Sequence, residues 1–277
     1  MLSEMGVRIT PFSPALGAEV RGVDLAEGLD PDTCQQIRAA FLRFGVLFFK
    51  DQREIAPATH VAIGRMFGDL HLHPAAPQMP GFPEVFVIHA HRDSKVANGE
   101  FWHSDVSCDE EPPLGTMLQI HVLPEIGGDT LFANMYTAYE TLSPPIQRLL
   151  DGLTARHESE HIYRDRYSDR GVDDTGRMYP RAVHPVVRTH PETGRKAMYV
   201  NRTFTRHIVE LSGPESDAVL SMVYDHCEHV DFQIRFRWER NDMAFWDNRC
   251  VMHRAIWDYW PHERKGRRVT IAGDRPR

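Results

Sequence analysis

Cysteine is scarce in this chain, basic charge is in deficit, and long apolar runs are missing. Four cysteines (Cys34, Cys108, Cys227 and Cys250) are spread over 277 residues with no C-x-x-C pair. That spacing argues against a disulfide framework or a structural zinc site, and for reduced thiols in the cytoplasm. Lys and Arg number 32 against 39 Asp and Glu, a formal charge of −7, whereas a nucleic-acid partner calls for the opposite excess. A locally basic pocket for a small anion stays open. The apolar run Val46–Phe49 is far short of the roughly 20 residues that a bilayer requires. Met1–Val20 likewise lacks the apolar stretch of a signal peptide. No membrane partner is expected.

What is present is ordinary globular material. Hydrophobic residues make up 42% and charged residues 26%, enough apolar content for one large core. No repeat, low-complexity tract or Ser/Gly linker divides the sequence, so a single domain over residues 1–277 is expected. Val7–Thr10 and Ala18–Val20 read as short strands. Asp30 caps a helix that starts at Pro31, carries an Ile37, Ala40, Phe41, Phe44 stripe and stops at Gly45. Val46–Phe49 then reads as a buried strand, and Pro57–Phe67 as a second helix ended by Gly68. Beyond Trp102 the texture is mostly β. Phe232, Ile234, Phe236 and Trp238 alternate with polar residues, a strand with one buried face. Asn241-Asp242 turns it into Met243–Trp246. Helices are expected near Pro144–Leu150 and Pro214–Glu228. Residues 156–181 are polar and irregular, an insertion or lid. The fold class is mainly β with flanking helices, a barrel or jelly roll.

Chemistry enters at His103-Ser104-Asp105. If the segment is extended, positions i and i+2 point to one side, so an imidazole and a carboxylate converge. With 16 His and 21 Asp, chance alone places about one H-x-D, and His91-Arg92-Asp93 reads as a solvated loop. The first pair gains meaning from His253, at the end of Trp246-Asp247-Asn248-Arg249-Cys250-Val251-Met252-His253. Two His and one carboxylate on one face of a metal leave three positions open, which suits non-haem Fe(II) oxygen chemistry. Arg264 and Arg268 follow eleven and fifteen residues past His253. A guanidinium aimed into a barrel is costly unless it meets an anion, and its planar fork fits a carboxylate or sulfonate. Gly127-Gly128-Asp129-Thr130 is a tight turn entering a strand, and Thr130 matters if its hydroxyl faces the same cavity.

Taken in order, H-x-D, GGDT, WDNR-x₃-H and R-x₃-R resemble the TauD/TfdA family of Fe(II)- and 2-oxoglutarate-dependent dioxygenases. The resemblance runs from Gly17–Leu25 through Phe67–Pro74 and His184–Pro191 to Gly273-Asp274. It implies a double-stranded β-helix (jelly roll, cupin-like) core, associated as a homodimer or homotetramer. It implies His103, Asp105 and His253 as iron ligands, and 2-oxoglutarate held at its distal carboxylate by Thr130 and Arg264. It also implies Arg268 facing a small anionic organic substrate, with His73 and Phe204 beside it, and no catalytic group beyond the metal centre. O2 is consumed, and succinate and CO2 are released. The taurine enzyme of this family carries a Tyr where this chain has Ala76 and an Asn where it has Gly99. A bulkier alkyl sulfonate or sulfate is therefore expected over taurine, with aryloxy or other carboxylates as the alternative. A zinc hydrolase on the same ligands lacks an H-E-x-x-H-type base, and a non-catalytic metal- or oxo-acid-binding barrel has no use for the intact triad and both arginines.

Overall fold

The run Val46-Leu47-Phe48-Phe49 is apolar at every position because it lies between two cores. Val46 and Phe48 point into one cluster with Phe132, Ile234 and Phe236, while Leu47 and Phe49 point into another with Ile37, Phe41 and Phe245. Phe48 stacks on Phe236 at 3.9 Å and Phe41 on Phe245 at 4.1 Å between centroids. A strand covered on both faces cannot alternate with polar residues. The computed structural model of the protein describes residues 6–277. The first five residues of the Met1–Val20 stretch lie outside the described residues.

The larger sheet has seven strands, in the order Arg8–Pro11, Ala18–Arg21, Val46–Phe49, Met243–Asp247, Gly115–Val122, Arg264–Ile271, Val85–Ala90. It faces a three-stranded sheet in which Thr130–Asn134 sits between Gln233–Phe236 and Val251–Ala255. These two layers make the jelly-roll core, and the first cluster fills the space between them. The helix Pro31–Phe44 covers the outer face of the larger sheet. Asp30 accepts from the Thr33 amide, and Gly45 leaves the helix at φ +72°.

Three local readings differ from the sequence expectation. The second helix, Pro57–Arg65, ends two residues early, in a turn through Met66 and Phe67. A short helix, Met135–Glu140, interrupts what reads as continuous β texture, because the Asn134 side chain accepts from the Tyr136 and Thr137 amides. The 156–181 segment begins and ends in a sheet. Thr154–Glu158 pairs with Arg181–Pro185 and with Thr205–Ile208, and the Ser159 hydroxyl donates to the Pro180 carbonyl at 2.8 Å. What lies between is an excursion with closed ends.

Candidate active site

The H-x-D pair is not on a continuous strand. His103 forms an isolated antiparallel bridge with His253, each amide donating to the other's carbonyl at 3.1 and 2.9 Å. The chain then turns at Val106, a β-branched residue at φ +45°. Strain of that kind persists only where surroundings over-determine it. The bridge and turn, rather than strand alternation, bring the side chains together. Asp105 Oδ1 lies 3.7 Å from His103 Nε2 and 3.9 Å from His253 Nε2. The ligand atoms of all three fall within 4.8 Å of one another.

The surrounding contacts fix which atoms face inward. His103 Nδ1 donates to the Phe101 carbonyl at 2.7 Å, which leaves Nε2 with its lone pair free. Thr116 donates to Asp105 Oδ2 at 2.7 Å and Arg268 to Oδ1 at 2.7 Å. Burial pushes His103, His253 and His73 down from the ordinary imidazole value, so all three are neutral at pH 7. Burial alone would raise the Asp105 carboxyl, but the Arg268 guanidinium above all, with the Thr116 hydrogen bond, outweighs it and holds the group ionised. Neutral imidazole and carboxylate are the forms that bind a metal. Asn248 ties the ends together. Its Oδ1 accepts from the Asp105 amide and from Trp246 Nε1, and its Nδ2 donates to Thr116.

Arg264, Arg268, Thr130, His73 and Phe204 line the same cavity as the three candidate ligands, a space of about 120 Å³. Thr130 Oγ1 accepts from Trp238 Nε1 at 3.0 Å, so its own proton is free to donate. Arg264 Nε donates to the Gly128 carbonyl at 3.0 Å, and its Nη2 has no partner among the described residues. The double glycine follows from that approach. Gly128 stands at φ +75°, and a Cβ there would lie 3.1 Å from Arg264 Cδ. Arg268 lies over Phe86, its guanidinium carbon 5.0 Å from the ring centroid.

The closed-ended excursion supplies walls that sequence reading did not assign. Tyr163 and Tyr167 stand 5.2 and 6.4 Å from the His73 ring, and Ile162 and Arg166 also face the cavity. Ala76 packs against the cluster that holds these tyrosines and is not on the cavity wall. Gly99 does border the cavity, at φ +79°, and a Cβ there would meet His103 Cε1 at 3.1 Å. Thr116 and Asn248 were missed as positioning residues. Asn248 carried a signal within WDNR, whereas Thr116 sits in an apolar strand with none.

The WDNR motif also builds a second buried group, His190, Asp247 and Cys250. Arg249 grips Asp247 through two nitrogens at 2.8 and 2.7 Å, and His190 Nε2 lies 3.0 Å from the same carboxylate. His190 Nδ1 accepts from the Glu192 and Thr193 amides. Every imidazole and carboxylate lone pair that would bind a metal is taken, so this group braces the turn before His253. His91 and Asp93 lie apart, in a turn at the surface.

Known proteins resemble this chain over nearly all of its length. Residues 8–270 match the family model described as "Taurine catabolism dioxygenase TauD, TfdA family". An alpha-ketoglutarate-dependent sulfate ester dioxygenase of Pseudomonas putida is 33% identical, over 97% of this chain and 90% of that protein. An alkylsulfatase of Acinetobacter baylyi is 32% identical, over 97% and 86%. A crystal structure of a taurine dioxygenase from Burkholderia xenovorans superposes with a TM-score of 0.83 at 36% identity, covering 98% of this chain and 92% of that one.

Proposed function

The chain belongs to the taurine catabolism dioxygenase TauD, TfdA family, and from that premise we propose an Fe(II)- and 2-oxoglutarate-dependent hydroxylation of an alkyl sulfate ester or sulfonate. The observation that carries this reading is Arg268, a buried guanidinium beside the His103, Asp105, His253 group in an otherwise largely apolar cavity. The donor set fits iron: two neutral imidazoles and one carboxylate converge from one side. Bound there with 2-oxoglutarate and O2, the iron supplies the oxidising chemistry, yielding succinate and CO2.

The protein's part is binding, orientation and exclusion of water. Thr130 and Arg264 hold the distal carboxylate of 2-oxoglutarate, through one free hydroxyl proton and one free guanidinium nitrogen. Arg268 takes the sulfur oxyanion, and His73 and Phe204 flank the organic part. Tyr163 and Tyr167 close the side nearest His73. Residues 1–277 act as one domain, with the 156–181 segment as its lid. Four free, buried thiols support a cytoplasmic location, and the family resemblance supports a homodimer or homotetramer.

The test is succinate release under air with a panel of taurine, linear alkyl sulfonates, alkyl sulfates and aryloxyacetates. Alkyl sulfates or sulfonates should drive it best. The rings of Phe86, Tyr163 and Tyr167 around His73 favour aryloxyacetates as the second reading. Release with aryloxyacetates and with none of the sulfur oxyanions would establish that one instead.

A further inference from the structure

Asp105 Oδ1 faces the candidate metal position and Arg268 together. It is the oxygen that faces both imidazole Nε2 atoms, at 3.7 and 3.9 Å, and it accepts from Arg268 Nη1 at 2.7 Å. The other oxygen, Oδ2, is occupied by Thr116. Arg268 is itself buried, its position fixed over Phe86, and its Nε has no partner among the described residues. One guanidinium edge therefore bonds the candidate metal ligand, a second donor has no partner, and the side chain lines the cavity.

We propose that Arg268 makes metal binding and substrate-anion binding mutually dependent. A divalent ion at the three donors draws charge from the same carboxylate oxygen that neutralises Arg268, and the two cations repel across it. An anion on the unpartnered side of Arg268 restores that neutralisation, so it tightens metal binding. By linkage, metal tightens anion binding by the same factor. The iron centre then has its highest affinity when the substrate it is to oxidise is present. Arg268 is in this sense a positioning and coupling residue as well as an anion contact. The inference rests on the reading of Arg268 as the substrate's anion site.

The experiment follows free Mn(II) by its paramagnetic resonance signal during titration of the whole protein, without 2-oxoglutarate and without turnover. Wild type, Arg268→Met and Arg268→Lys are compared with and without hexane-1-sulfonate. Arg268→Met should bind Mn(II) on the order of tenfold more tightly than wild type, as expected for removing a charge-assisted competitor. Misfolding cannot produce such a gain. Hexane-1-sulfonate should tighten Mn(II) binding in wild type, within the roughly 5–150-fold range of ordinary coupling, and leave Arg268→Met unmoved. Arg268→Lys keeps the charge and should retain part of the sulfonate effect. A Met variant that binds Mn(II) no better than wild type overturns the coupling, even if hexane-1-sulfonate is a good substrate. Tighter Mn(II) binding in that variant sustains the competition for Asp105. Succinate release with the same sulfonate judges the substrate reading separately.

Discussion

Arg264→Met should weaken 2-oxoglutarate binding without weakening the fold. The guanidinium is 3% exposed. One nitrogen is anchored on the Gly128 carbonyl, its carbon lies 5.6 Å from the Trp238 ring centroid, and Nη2 is unpartnered. Burial pulls this arginine below its ordinary value, despite opposition from Tyr259 and Asp129. A buried charge with an incomplete set of partners costs stability, and an apolar side chain of similar length does not carry that cost. The same charge becomes favourable when a carboxylate completes the set. Methionine should therefore leave the fold as stable or more so, and remove a charge-assisted contact of about 1.5–3 kcal/mol.

That loss corresponds to a rise in Kd on the order of ten- to a hundredfold. Thermal unfolding of Mn(II)-loaded protein reads both effects together. A ligand at a hundred times its Kd adds about 2.7 kcal/mol, and a thirtyfold weaker Kd cuts this to about 0.9 kcal/mol. At roughly 2–4 °C per kcal/mol for a chain of this size, the ligand shift falls from about 5–11 °C to about 2–4 °C. A variant with the full wild-type shift, or one that loses several degrees before 2-oxoglutarate is added, refutes the reasoning.

Four other outcomes follow from named contacts. His103→Ala, Asp105→Ala and His253→Ala should each abolish succinate release and Mn(II) binding while keeping a cooperative melt; near-normal turnover would remove that residue from the metal site. Gly128→Ala, forced to φ +75° with Cβ at 3.1 Å from Arg264 Cδ, should cost about 1–3 kcal/mol of strain and raise the 2-oxoglutarate KM; an unchanged KM would separate the turn from Arg264. His60 is pushed down to about 3, by burial first and then by Arg267 and His121. The unfolded chain thus protonates first as pH falls, and stability drops from about pH 6.5 towards 3 at about 1.4 kcal/mol per unit; His60→Leu should lessen that slope by one proton in urea unfolding at pH 7, 6 and 5. Along a linear alkyl sulfonate series, kcat/KM should rise roughly fourfold per methylene, at about 0.8 kcal/mol each, until the chain passes Phe101 at the exposed rim; taurine as the best substrate would contradict this.

How much of this was readable beforehand depended on where each signal lay in the chain. The three candidate ligands were legible because H-x-D and WDNR-x₃-H each concentrate several unusual residues in a short window. Arg264 and Arg268 were legible by their fixed spacing after His253, as part of the R-x₃-R pattern. The reason for Gly127-Gly128 was not, since it is the approach of Arg264 and of Asp258 from 130 residues away. Tyr163 and Tyr167 were invisible as cavity walls. Their segment lacks periodicity, and only the pairing of Thr154–Glu158 with Arg181–Pro185 brings it back over the site. Ala76 lies off the cavity wall, which a sequence position alone does not reveal. The helix Met135–Glu140 was hidden because a single capping side chain, Asn134, overrides an apolar run that suits a strand equally well.

The charges on the cavity wall bear on the remaining question of substrate. Arg166, Arg264 and Arg268 face Asp105 and Glu100 there, while His73, His103 and His253 are held neutral by burial. The protein therefore contributes one net positive charge. Fe(II) raises it to three, and the 2-oxoglutarate dianion returns it to one. A monoanion brings the filled cavity to neutrality, which is the least costly state for a buried site. An alkyl sulfate or sulfonate meets that condition through its head group and buries its chain against Phe86, Phe204 and the tyrosines. Zwitterionic taurine leaves the positive charge in place and adds an ammonium group. The carboxylates available to that group on the wall are Glu100 and the candidate metal ligand itself. The same balance sets an order of binding. Attraction for an anion is strongest after the metal and before the last negative charge arrives, so a substrate head group is drawn in most strongly when iron is already in place.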